Sequence, residues 1–185
     1  MSTQVELKAP VFLVAVPQLA DTNFNRSVIL LLDYKEDGAM GVVINRATEL
    51  GLEEFCSSQE MRFQGNPDGF VYSGGPVQQD RAFLIHHSDH AGPETEAISG
   101  KTRLSYSLES LRIVSESPPE RLRVFLGYAG WGPGQLAAEI TSGAWLVTDF
   151  KDHILFETSV DSVWEVCLKE MGIEPMQLIH SGEVH

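Results

Sequence analysis

The chain has 185 residues, with 26 acidic side chains against 13 basic ones, a formal net charge of −13, 43% hydrophobic and 21% charged residues. This composition is that of an ordinary globular domain, and the charge disfavours direct nucleic-acid binding, because affinity for phosphate backbones comes from Lys and Arg. No apolar run approaches the ~20 residues of a membrane span, and MSTQVELKAP lacks the basic-then-apolar order of a secretory signal.

Val11–Val16 is apolar throughout and reads as a buried strand ending at Pro17. A polar loop, Asp21 to Arg26, precedes a second apolar strand, Ser27–Tyr34. The Asp37-Gly38 signal then predicts a tight reversal into Gly41–Ile44, and hence a β-hairpin. Thr48 stands where a helix over Glu49–Ser58 would take its N-cap, with Leu52, Phe55 and Cys56 on the apolar side. Gly65–Gly69 is rich in turn residues. Phe70–Tyr72 and Arg81–His87 read as strands joined around Ser73-Gly74-Gly75-Pro76-Val77, which suggests a second hairpin-like unit. His87–Ile98 reads as a polar surface loop.

Thr102–Tyr106 is a short strand, and Ser107 caps a helix carrying Leu108, Leu111 and Val114, stopped by Pro118-Pro119. Arg121–Asp149 reads as a strand, a glycine-rich loop over Gly127–Gln135, a short helix and a further strand. His153–Phe156 reads as strand. Residues 160–171 repeat Trp164, Cys167, Leu168 and Met171 at helical spacing, with Gly172 at the C-terminal cap position. Nine strand candidates and four helices, with hairpins and crossovers mixed, predict an α/β or α+β fold around a mixed sheet. One domain is expected over 1–185, with its core over about 10–172 and a weakly patterned tail over 173–185.

Several patterns suggest chemistry and fail on inspection. Gly132-Pro133-Gly134-Gln135-Leu136-Ala137 matches a dinucleotide fingerprint, with Asp149 at the end of the next strand. Pro133 has no N–H to offer a pyrophosphate, and the helix is too short. A softer expectation survives, an anion held at that helix start. Gly100-Lys101-Thr102 looks like the end of a phosphate loop, but Thr95 stands where glycine is required. His86, His87, His90 and Asp89 are dense in metal ligands, yet adjacent strand residues face opposite ways, so a solvated strand end is expected and no metal. No GxSxG or SxxK pattern occurs. Cys56 and Cys167 form no CxxC pair, which points to reduced thiols and a cytoplasmic protein. Arg103, Arg112, Arg121 and Arg123 fall within one region and read as solvated ion-pair partners.

Three segments together resemble the AlgH/YqgE family: Asn23-Phe24-Asn25-Arg26-Ser27-Val28 leading to Glu36–Asn45; Gly74-Gly75-Pro76-Val77 with Asp80-Arg81; and Gly127-Tyr128-Ala129-Gly130-Trp131-Gly132 with Gly134-Gln135-Leu136. The resemblance runs from about residue 10 to 172. It implies a compact bacterial cytoplasmic protein with a mixed-sheet α/β fold, and a name linked to transcriptional control of alginate production. It brings no catalytic residue set and no cofactor. The chain departs from the family pattern at Thr22 and Ala47, where proline is usual, and at Ala137, where glutamate is usual.

The expected function is a non-enzymatic binding or regulatory module whose partner is a small anion or a protein. Its expected site combines Arg26, Asn45, Gly74, Gly75, Arg81, Tyr128, Trp131 and Gln135, all at strand ends or loops. There an arginine would meet an anion and Trp131 would form an apolar wall. The alternative is an enzyme acting on a small anionic substrate, with Arg26 or Arg81 as electrophile and Glu139 or Asp149 as base.

Overall fold

The computed structural model describes residues 6–17 and 24–181. The expected loop at Asp21-Thr22-Asn23 lies outside the described residues. The chain divides into two compact units, one within Met1–Asn45 and Ala129–His185, the other within Arg46–Tyr128.

In the first unit, β1 (Val11–Ala15) lies between β2 (Val28–Lys35) and β10 (Trp145–Asp149), antiparallel to both. β2 continues antiparallel to β3 (Gly38–Val43), and β3 to Ala129–Trp131 at the end of β9 (Leu122–Trp131). Phe12–Ala15 are fully buried, which explains why β1 is continuously apolar rather than alternating. Lys35 pairs with Gly38, so the predicted hairpin closes over Glu36-Asp37. One sheet face packs Leu13, Ile29, Leu31, Trp131, Leu136 and Trp145 together. Over the strands lie α3 (Gln135–Thr141), against β3 and β10, and α5 (Val163–Glu170), against β1 and α4 (Asp152–Glu157).

The expected helix over 160–171 is present as a 3₁₀ turn, Val160–Ser162, followed by α5. The expected strand at His153–Phe156 is instead α4, with Ile154, Leu155 and Phe156 buried. A run of three apolar residues carries no period that separates helix from strand. Part of the weakly patterned tail forms α6 (Pro175–Ser181).

In the second unit the strand order is β4 (Ala47–Gly51), β5 (Phe70–Ser73), β9, β6 (Val77–His86), β8 (Thr102–Ser105) and β7 (Thr95–Ser99). Only β5 and β9 run parallel, so the sheet is mixed, as the sequence predicts. α1 (Leu52–Ser58) packs on β4 and β5. α2 (Leu108–Glu116) is capped by Ser107, whose Oγ accepts from Ser110 N at 3.0 Å, and it buries Leu111 and Val114. Leu108, expected on the apolar side, is 59% exposed.

Four sequence expectations change in this unit. Thr48 caps no helix: its hydroxyl donates to Val71 O at 2.7 Å and accepts from Leu50 N, so it belongs to strand β4. β5 and β6 are not hairpin partners, because β9 lies between them. The expected loop 87–98 contains most of β7, which pairs with β8 across a Gly100-Lys101 turn; the apparent phosphate loop is a hairpin end. Gly127–Trp131, expected in a loop, is strand.

Cys56 and Cys167 are free and fully buried. Burial pushes the Cys56 thiol up to about 11, and burial with the nearby Glu170 charge pushes Cys167 up to about 12. No helix among the described residues is long and apolar enough to cross a membrane.

Candidate functional site

In the second unit the Gly74-Gly75 step crosses β9 at Gly127 with no room for side chains. A Cβ on Gly74 would stand closer than 3.0 Å to the Gly127 carbonyl oxygen, and one on Gly127 closer than 3.0 Å to the Gly75 oxygen. Gly127 also has φ +79°, a left-handed conformation that L residues rarely adopt. Gly74 N donates to Leu126 O at 2.8 Å, which continues the parallel ladder of β5 for one more step.

This crossing displaces the neighbouring strand. Val77 pairs with Tyr128, and the next pair is Ala82 with Leu126, so Gln78–Arg81 stand opposite the single residue Gly127. The surplus residues bulge outward, with Gln78 at φ +45°. Val77–Arg81 are exposed, whereas the other end of the same strand, Phe83–His86, is buried. Arg81 leaves the bulge with its guanidinium carbon 5.2 Å from the Phe83 ring centroid and 5.8 Å from that of Tyr106. Phe83 in turn meets Tyr128 edge-on at 5.9 Å. The Tyr106 hydroxyl donates to Glu96 at 3.2 Å, and that carboxylate raises its pKa. The Arg81 guanidinium makes one long hydrogen bond, Nη1 to Gln78 Oε1 at 3.4 Å, and no ion pair among the described residues. Four of the eight expected site residues (Gly74, Gly75, Arg81 and Tyr128) are therefore brought together here.

Of the other four, which lie in the first unit, Arg26 and Asn45 meet each other but not Trp131. Arg26 and Asn45 stand at the open end of the β2–β3 hairpin, while Trp131 pairs with Ala39 near its turn. At ~3.3 Å per residue, the length of β2 separates them. Asn45 clamps the turn before β2: its Nδ2 donates to Arg26 O and its Oδ1 accepts from Val28 N, both at 2.9 Å. Trp131 is 8% exposed and packs edge-on against Trp145 at 6.2 Å. Gln135 closes its own loop, with Oε1 accepting from Gly132 N at 3.0 Å. That occupies one of the N–H groups the anion expectation relied on, and α3 has only seven residues. Asp149, offered as a base, is exposed and pairs with Val11, whereas Arg26 lies beyond the Ala15 end of β1. The two therefore stand at opposite ends of that strand. Glu139, the other base offered, is half-buried on α3.

The histidine cluster also differs from expectation. His86 is fully buried rather than solvated. Its Nδ1 accepts from Ser88 N at 3.0 Å, so the ring proton sits on Nε2, 2.8 Å from Ser105 Oγ. Ser105 passes a hydrogen bond to Thr95 Oγ1 at 2.7 Å, and Thr95 donates on to Ala91 O. Both ring nitrogens are committed inside the protein, and this relay has the direction required of a neutral imidazole. Burial first, then the charges of Arg103 and His87, lower its pKa to about 4. Among the described residues no three His, Cys, Asp or Glu side chains are placed to hold a metal. Nothing in the sequence marks His86 as buried except the apolar run Ala82–Ile85 before it.

Residues 12–176 match a family model described as AlgH-like. A UPF0301 protein of Myxococcus xanthus is 40% identical over 92% of this chain and 94% of its own length. One from Laribacter hongkongensis is 37% identical over 92% and 94%. The solution structure of the AlgH protein from Pseudomonas aeruginosa is similar with a TM-score of 0.75 and 34% identity, covering 95% of this chain and 94% of that one. Protein DIP2367 from Corynebacterium diphtheriae shares the fold at a TM-score of 0.71 and 22% identity, over 94% and 90%.

Proposed function

The chain belongs to the AlgH-like family, and on that footing we propose that it is a non-catalytic binding module of the bacterial cytoplasm. Its contact surface for a protein partner is the Gln78–Arg81 bulge with the Tyr106 ring. The observation that carries this reading is the state of Arg81. In a chain with 26 acidic residues, its guanidinium stacks on two aromatic rings and meets no carboxylate among the described residues. The rings beside the guanidinium leave its donor edge for a bidentate carboxylate on the partner.

At the start of the same bulge, Val77 is 36% exposed and gives the surface an apolar element. A guanidinium next to aromatic rings is the composition of interface anchors. An effect on transcription would pass through the partner, since a net charge of −13 opposes contact with a phosphate backbone. The two buried thiols agree with a reducing compartment. A catalytic reading needs a desolvated carboxylate facing an arginine, and the opposed positions of Arg26 and Asp149 count against that pair.

Arg81→Ala tests the proposal. We expect it to lower recovery of a specific protein at least about tenfold when immobilised wild type and variant are compared in lysate of the source cell. Its thermal midpoint should match wild type, because the side chain is exposed. Equal recovery of every captured protein by the two would sink the reading. A small-molecule product formed by wild type and not by the variant would favour the enzyme instead.

A further inference from the structure

We propose that Arg26 anchors a carboxylate-binding site in the first unit, independent of the Arg81 surface. Arg26 has φ +53°, a conformation strained for any L side chain, within a turn closed by Ser27 N donating to Phe24 O at 3.0 Å. Asn45 holds that turn from both sides through its bonds to Arg26 O and Val28 N. The guanidinium carbon lies 5.1 Å from the centroid of the Trp164 ring. Trp164 is itself fixed: it is 4% exposed, and its Nε1 donates to Ala15 O at 2.8 Å. Backbone clamp and indole plate together pre-set the position of this cation.

Among the described residues no acidic side chain lies within ion-pair distance of Arg26, although Lys35, Arg112 and Lys151 each have one. A glycine would occupy this turn without strain, and a lysine would supply the charge. Only arginine supplies a planar fork whose face can rest on the indole while its edge donates two parallel hydrogen bonds. The matching ligand is a carboxylate, whose two oxygens fit the fork. A phosphate dianion meets greater repulsion from a chain of net charge −13.

The test follows the Arg26 Nε–H resonance by NMR in the full chain while acetate, acetyl-triglycine or inorganic phosphate is added at constant ionic strength. Acetate should move it saturably, and phosphate should bind more weakly. If acetyl-triglycine binds more tightly than acetate, the carboxylate comes from a peptide terminus; the reverse order indicates a free small acid. In Arg26→Lys, followed through the Ser27 and Val28 amides, acetate affinity should fall at least about tenfold with the thermal midpoint unchanged. The proposal is overturned if acetate moves the Nε–H no further than sodium chloride does, if phosphate binds more tightly than both carboxylates, or if Arg26→Lys binds acetate as well as wild type.

Discussion

Gly127→Ala is expected to destabilise the chain by about 4 kcal/mol or more, a loss at the far end of what single substitutions do. Two separate effects add. The left-handed φ of +79° costs an L residue roughly 1–2 kcal/mol. The larger effect is steric. The new methyl group would press on Gly75 O and lie 3.2 Å from Val77 O and 3.3 Å from Gln79 Cα, all backbone atoms that no rotamer change can move. Gly134→Ala is the matched control. Its φ of +72° carries the same strain, but nothing lies within 4 Å of the added Cβ, so only about 1–2 kcal/mol should be lost. Urea unfolding of the two variants separates the effects. Equal losses would mean that the close crossing of Gly74-Gly75 over Gly127 does not hold the second unit together.

Mild acid should weaken the fold through His86. Its folded pKa of about 4 lies below the ordinary 6.5, so between these values the unfolded chain binds a proton that the folded chain refuses. The stabilisation from the neutral ring is therefore complete above about pH 6.5 and is lost as pH falls toward 4. At 1.36 kcal/mol per unit, the full contribution is about 3 kcal/mol. Most carboxylates titrate below this window, and comparing the slope of unfolding free energy between about pH 6.5 and 5 with that of a His86 variant separates this imidazole from the five other histidines. His86→Gln should flatten that slope. A wild-type stability that stays level over this range, or a slope that the substitution leaves intact, would remove the buried relay from the account.

The strands that are apolar on both faces were the most legible part of the sequence. β1, β2 and the hairpin to β3 could be read directly, because a continuous Val/Ile/Leu run closed by Asp-Gly admits few alternatives. Sequence and structure part where a partner far along the chain decides the conformation. Thr48 has the chemistry of a helix cap, but Val71 O takes its hydroxyl and makes it a strand residue. The glycines of Gly127–Trp131 look like a loop by composition, yet they serve a strand that another backbone must approach closely. The site followed the same rule. Gly74, Gly75, Arg81 and Tyr128 stood out as residue types, whereas the bulge that joins them depends on how many residues of β6 oppose Gly127. The polar run Gln78-Gln79-Asp80-Arg81 inside a strand was its one visible trace. Trp131 packs against Trp145 and Gln135 closes its own loop, and in sequence an aromatic and an amide in a glycine-rich stretch look the same whether they face a ligand or pack at home.

The two cysteines have a practical consequence for experiments on this protein. Cys56 and Cys167 are sealed from solvent and held as thiols, with pKa values raised to about 11 and about 12. Alkylating reagents attack the thiolate, so the native fold presents almost nothing for a maleimide to label. The wild-type chain is thus already a blank background for single-site spectroscopy. A cysteine introduced at an exposed position such as Gln79 would take a spin label or fluorophore alone, at the edge of the bulge. Sudden labelling of the native pair during a denaturant titration would in turn report when each unit opens.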